Sequence, residues 1–346
     1  MSAVLGSPLA TLRESELDVR GAYALVLGVI WACIHVYAGI WHISILELVH
    51  VHVLLALSLT FAVFPTTTKR LPRRVANAFD GALVLGSLGL LAYLLSENER
   101  LVTRIPQVGE VTTPDMVLGT LTLVLVLEAS RRVTGLVLPA IGGLFLAYGY
   151  FGMYVPAPFF HSGIGHEGMI DIMFLDDRGI FGTPAKVSAQ YVYLFVLFGG
   201  ILVKSGAGQN LLNLAMAIAG NFRGGAAKIA VMTSAAMASI NGSAVANTVS
   251  TGSITIPLMS ESGYDDESAG AIESLASTGG QLMPPVMGAA AFVLAELSGV
   301  SYIDLIVYAV IPSLLFYVGV YTSVHLEAIK QDVPAIPRTE RETDPL

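Results

Sequence analysis

Long apolar runs joined by short polar stretches dominate the chain. Windows near the roughly 20 residues that cross a hydrocarbon core as helix fall at about 22–41, 45–64, 76–95, 114–130, 133–153, 188–206 and 303–324. Each predicts a membrane-spanning helix, and together they predict an all-α integral membrane protein. Between about 207 and 302 this pattern fails. Lys204, Arg223 and Lys228 should share one side, yet LLNLAMAIAG (211–220) is too short to cross twice between them, which predicts a helix lying along the interface. Ala226–Ile240 predicts a helix of about 15 residues, advancing about 22 Å, which enters the bilayer interior without crossing it. The polar hinge Asn241–Gly242–Ser243 follows, then a second short arm back to Pro257 and the acidic loop ESGYDDES. That is the pattern of a re-entrant hairpin over about 226–259. A helix from about Asp266 to Ser277, the break STGGQLMPP (277–285) and a helix Val286–Ser298 then read as a broken helix over about 266–298. Two prolines and two glycines disfavour a continuous helix there.

Composition agrees with a membrane assignment: 54% of the 346 residues are hydrophobic, 13% are charged and the mean hydropathy is +0.70. The linker KRLPRR (Lys69, Arg70, Arg73, Arg74) carries four positive charges and no acid, so it is placed in the cytoplasm, as are Arg131 and Arg132 two spans later. Both termini are then cytoplasmic, the tail with Lys330, Arg338 and Arg341, while the loops 96–115 and 154–187 lie outside. The first 20 residues show no apolar core followed by a cleavage site. Net charge −8 names no partner. The single cysteine, Cys33, rules out an internal disulfide framework and reads as a small buried filler.

Candidate chemistry is sparse. No Ser-His-Asp or Cys-His constellation, Walker motif or GxGxxG loop accompanies these elements, so neither hydrolysis nor ATP use is indicated and no enzyme, cofactor or nucleic-acid partner is expected. His50 and His52 are two apart and so lie on different helix faces. His161, His166, Glu167, Asp171, Asp176 and Asp177 lack zinc-ligand spacing and read as a solvated external loop, with receptor docking as the weaker alternative. Glu47 and Asp80, inside predicted spans, read as interhelical polar contacts. Glu273, one helical turn before Ser277, is a candidate to tune ion or proton coupling.

Non-helical backbone is tolerated at membrane depth only where protein or a water-filled cavity satisfies it. Half-helix ends add partial charges, with N-termini favouring anions and C-termini and unwound carbonyls favouring cations. A hairpin tip meeting a broken helix therefore makes an ion and substrate site largely from backbone. Neutral hydroxyl and amide oxygens beside the tips suit sodium better than a divalent cation, because carboxylates are few there. Small residues for close helix approach would be the plainer reading, but two separate breaks with prolines exceed what packing needs.

The runs SINGSAVANTVSTGSITIPLM and ASTGGQLMPPVMGAAAF resemble the large permease subunit of TRAP (tripartite ATP-independent periplasmic) transporters. The resemblance is strongest to the TAXI branch, in which small and large membrane subunits are fused. EASRRVTGLVLPAIGGLFLAYG (128–149), GIFGTPAKVSAQYVYLFVLFG (179–199) and VHLEAI (324–329) fit the same branch. The resemblance implies sodium-coupled uptake of an organic acid, delivered by an extracytoplasmic TAXI-type receptor, by an elevator movement in the cytoplasmic membrane. It divides the chain into a polar segment 1–19, a small-subunit-like four-helix region 20–132, a first repeat 133–326 and a polar tail 327–346. Carried over by position, it implies sodium ligands at Asn241, Gly242, Ser243, Thr278, Gly279, Gly280 and Pro284, with substrate near Ser243, Ala244 and Asn247.

The family's transport domain has two inverted repeats, whose pseudo-symmetry generates the inward and outward states. Only the first is found here. The second is expected to be lost by frameshift, carried on a separate chain, or replaced by another copy of this one. The rival readings are a receptor-independent divalent-anion/sodium symporter unit and a non-transporting scaffold or inactive remnant.

Overall fold

The computed structural model describes residues 19–41, 43–66 and 72–335. Residues 1–18 of the polar amino-terminal segment, and Lys69, Arg70, Arg338 and Arg341, lie outside the described residues. No strand occurs among the described residues, and six segments are long and apolar enough to cross a membrane: 19–40, 45–63, 73–96, 137–154, 183–202 and 302–330. The protein is thus a multi-pass, all-α membrane protein.

Two compact units divide at Gln190 and Tyr191. The first contains α1 (Val19–Ile40), α2 (Ile45–Val63), α3 (Arg73–Ser96), the short α4 (Asn98–Thr103), α5 (Thr113–Thr134), α6 (Val137–Phe151), α7 (His166–Ile170) and α8 (Thr183–Val187). Helix α2 is the hub, packing against α1, α3, α5 and α8. Leu54, Phe61, Leu90, Leu94, Leu125, Ile170, Phe174 and Phe181 fill the core around it. Helix α6, by contrast, buries no residue and presents Leu138, Ile141, Leu144 and Phe145 outward, as a lipid-facing helix does. Cys33 is exposed on α1 rather than serving as buried filler. Helix α5 is 22 residues long but holds Asp115, Glu128, Arg131 and Arg132, so it is less apolar than the six spans. Its start is fixed by a reciprocal capping box between Thr112 and Asp115, with Pro114 in the first turn.

Charge is buried in this unit only where it is paired. Asp80 accepts from Arg132 Nη1 at 2.8 Å, Arg20 Nη2 at 3.0 Å and Thr66 Oγ1 at 2.7 Å, which ties α1, α3 and α5 to the α2–α3 link. The expected interhelical contact of Asp80 is therefore present, while the Glu47 side chain has no hydrogen bond among the described residues. His52 bridges His35 Nε2 and Ser188 Oγ, each at 2.9 Å, whereas His50 packs edge-on against Phe181. The two histidines do face different surroundings, and the described residues contain no metal-holding cluster. The acidic stretch after α6 is less solvated than its composition predicts. Asp171 is buried against Arg104 at 2.8 Å and Asp176 is buried against Arg178, because short helices fold this segment back onto α5. Asp177 stays exposed, where the hydrogen bond from Lys186 Nζ holds its carboxyl below the ordinary range.

The second unit contains α9 (Tyr193–Lys204), α10 (Ala207–Ala219), α11 (Gly225–Asn241), α12 (Ala244–Glu261), α13 (Asp266–Gly279), α14 (Ala289–Ser298) and α15 (Tyr302–Lys330). Here α11 is central, packed by α9, α10, α12, α13 and α15. Its sequence explains this: Gly225, Ala226, Ala227, Ala230 and Ala238 carry almost no side chain, so neighbouring backbones approach closely. At its base Gly224 adopts a φ of +66° and donates to Pro334 O, while Lys228 Nζ donates to Arg223 O and meets His325 Nδ1 at 3.1 Å. Helix α13 begins at Asp265, whose side chain accepts from Ser268 N at 2.8 Å, a bond that holds the exposed carboxyl below its ordinary range.

Candidate functional site

Helices α11 and α12 are antiparallel arms joined through Gly242 and Ser243 alone. Each residue of this link has a defined job. Gly242 takes φ +63° and donates to Ala238 O at 2.8 Å, closing α11. Asn241 Oδ1 accepts from Ser243 N at 3.0 Å, and Ser243 Oγ accepts from Ala246 N at 3.3 Å, starting α12. Asn241 and Ser243 each keep oxygen lone-pair capacity beyond these bonds.

The break after α13 lies later in the chain than its sequence predicts, because α13 runs on to Gly279 instead of ending at Ser277 and α14 begins at Ala289 instead of Val286. Pro284 and Pro285 supply no N–H, and Met287 stands at φ +55°, which no helix accommodates. The intervening backbone is nevertheless well satisfied. Gly280, Gln281, Leu282 and Met283 form tight turns onto the carbonyls three residues earlier, and Gly288 N donates to Gln281 O at 2.8 Å. Tyr302 Oη lies 2.7 Å from Pro285 O and 2.6 Å from Val286 O, and its ring stacks on Phe292, centroids 4.4 Å apart. Replacing Tyr302 by Phe is expected to destabilise the unit by about 1–2 kcal/mol, because those carbonyls lose their donor. Thermal unfolding in lipid nanodiscs would read this.

Hairpin tip and break interlock. Val286 N donates to Ser239 O at 3.2 Å. A Cβ on Gly242 would stand 2.0 Å from Met287 O, and one on Gly280 would stand 1.8 Å from Ala238 Cβ. Gly279 is equally confined, against the Phe316 ring at 2.2 Å. Two helix C-termini (α11, α13) and two N-termini (α12, α14) therefore come to one place, mixing opposite ends of helix dipoles.

The expected residues are distributed unevenly about this point. Asn241, Gly242, Ser243, Gly279 and Gly280 lie in the interlock, with Ala244 half-buried as the first residue of α12. Thr278 is exposed, its hydroxyl donating to Ser274 O at 2.7 Å, so that its lone pairs remain open. Pro284 is half-buried at the Pro–Pro step. Asn247 is fully buried, and its Nδ2 donates inward to Ser234 O at 3.1 Å and Ser277 Oγ at 3.0 Å. The residues that the sequence did not single out are Ser234, Thr251 and Thr255, which converge on Glu273, and Tyr302. A signal for the threonines existed, since Asn247, Thr251 and Thr255 recur every four residues on one face of α12. Tyr302 had none.

Comparison with known proteins decides the family. The family described as "Tripartite ATP-independent periplasmic transporter, DctM component" matches residues 121–344, well over half the chain. The chain belongs to this DctM family. Among curated relatives, the chain is 29% identical over 182 residues to the C4-dicarboxylate TRAP transporter large permease protein DctM of Pseudomonas aeruginosa, covering 51% of this chain and 42% of that one. It is 26% identical over 158 residues to a putative TRAP transporter large permease protein of Haemophilus influenzae, covering 46% and 39%. It is 31% identical over 158 residues to the ectoine/5-hydroxyectoine TRAP transporter large permease protein of Ruegeria pomeroyi, covering 45% and 35%. The chain thus spans less than half the length of these DctM relatives, which are permease components and not enzymes. The match takes in both interrupted elements, so the interlock lies within the family's own segment.

Proposed function

We propose that the second unit is a transport repeat of a TRAP-type secondary transporter, and that α11 and α12 form a re-entrant hairpin in the cell membrane. One observation carries the reading: a hairpin tip and a broken helix, both poor lipid-facing structure, interlock through backbone within the segment that matches the DctM family. Sodium is the coupling ion. Its ligands come from Asn241 Oδ1, Ser243, the Thr278 hydroxyl and main-chain carbonyls around Gly242, Gly279, Gly280 and Pro284. Substrate is an organic acid bound beside Ser243 and Ala244, near the N-terminal end of α12, where the positive end of the helix dipole favours a carboxylate. Asn247 supports this place from inside, bracing α12 against α11 and α13.

An extracytoplasmic receptor of the TAXI type delivers the substrate, and the helices within 20–132 fill the small subunit's role in the same chain. The repeat works with a second, inverted one, and both ends of this segment are cytoplasmic.

In the complete assembly with its receptor, Asn241→Ala and Thr278→Ala are each expected to raise the sodium concentration for half-maximal uptake about tenfold. That is the effect of losing ~1.4 kcal/mol of ion binding. Sodium activation left unchanged by both substitutions would sink the ion assignment.

A further inference from the structure

Glu273, midway along α13, is wholly buried. Ser234 Oγ of α11 donates to its Oε1 at 2.7 Å, and Ser277 Oγ reaches the same oxygen at 3.1 Å. Thr251 Oγ1 of α12 also bonds Oε1, and Thr255 Oγ1 donates to Oε2 at 2.6 Å. One carboxyl therefore joins three helices through four hydroxyls.

No basic side chain pairs with it among the described residues. On α11, Lys228 is engaged by Arg223 O and His325 of α15. On α12, Glu261 is exposed at the last position, and on α13 Asp266 and Glu267 lie in the first turn. On α15, Tyr317 faces this region but donates to Ala276 O at 2.9 Å, and Lys330 pairs with Glu327. Of the remaining α15 groups, Tyr302 is spent on the break, Asp304 caps the helix start, and Tyr321 lies beside Lys228. Exposed Tyr308 lies about two and a half turns nearer the helix start than Tyr317.

A buried carboxyl without a cation would be expected to carry only one form well. This site is satisfied in two. With Glu273 ionised, all four hydroxyl hydrogens can point at it. With one proton added to Oε2, the new O–H donates to Thr255 Oγ1, whose own hydrogen turns to Thr251 O at 3.0 Å. With the proton on Oε1, Thr251 turns its hydrogen to Asn247 O at 2.8 Å instead. The change forms one O–H bond, rotates one hydroxyl and strands no acceptor beyond Asn247 Oδ1, which has no partner in the structure. Since Glu273 exposes no surface in the packed arrangement, the proton enters from and returns to water when α13 and the hairpin arms part.

We propose that Glu273 is a proton-carrying site of this repeat, taking up and releasing one proton as the hairpin and α13 separate and close. The inference goes beyond sodium at the tip, and its test does not depend on transport. The full chain in lipid nanodiscs would be followed by infrared difference spectroscopy through a pH series, beside Glu273→Gln, with helix content checked by circular dichroism. The expected result is one carboxyl–carboxylate band pair present in the wild type and lost in Glu273→Gln. Thr255→Val should displace the midpoint of that pair, because Glu273 loses the one hydroxyl that meets Oε2. Identical difference spectra for wild type and Glu273→Gln would overturn the proposal, since Glu273 would then serve only as a fixed clasp. If Glu273→Gln does not fold, Thr255→Val and Ser234→Ala read the same band, and no displaced midpoint in either folded variant overturns it equally.

Discussion

Gly242→Ala is expected to part the hairpin tip from the break and to lower the stability of the second unit by about 2–4 kcal/mol, the combined scale of a forced left-handed residue and overpacking. Two independent costs act at this residue. Its φ of +63° crowds any Cβ against its own backbone. That Cβ would also lie 2.0 Å from Met287 O, which is backbone and cannot swing aside as a side-chain tip could. Met287 itself stands at φ +55°, so the break has little freedom to yield. Gly270→Ala is the matched control. It lies inside α13 with nothing within 4 Å of its new Cβ, and should be neutral or stabilising by about 0.5–1 kcal/mol. Thermal unfolding in nanodiscs would compare the two. Equal stability of Gly242→Ala and wild type would show that the tip and break do not touch as described.

The second large effect belongs to the first unit. Asp80→Ala should destabilise it by about 3 kcal/mol, the low end for breaking a buried pair, because Arg132, with only 3% of its side chain exposed, then keeps only the partly exposed Glu128 as counter-charge. Pairing the change with Arg132→Met should recover part of that loss, since the ring of Phe61 lies 5.0 Å from the guanidinium and can pack an apolar side chain. Denaturant titration of the single and double variants would measure the coupling. Strict additivity would mean that the ion pair contributes nothing.

Both cases show what could be read in advance. Six of the seven predicted spans and the two helix breaks were legible because bilayer thickness sets helix length and because proline and glycine interrupt helices by local chemistry, whereas the window 114–130 forms α5, whose charges leave it less apolar than the six. The hairpin hinge was placed to the residue for the same reason. Asp80 was recognisable as a charge in an apolar run, which needs a partner. Which partner it finds was not readable, since Arg20 and Arg132 are 60 and 52 residues away in sequence. Cys33 and the acidic stretch after α6 were misjudged for a related reason: composition gives a residue's preference for burial, while exposure follows from which face its helix turns to a neighbour.

By itself, then, the sequence determined helix content, the positions of breaks and the kinship of its hairpin motif, all consequences of interactions within a few residues of chain. Only the tertiary structure decided that Gly242 meets Met287, that Tyr302 covers the break, and that four hydroxyls from three helices converge on Glu273. Those contacts join positions far apart in the chain, and they are selected by the close approach that the small residues of α11 permit.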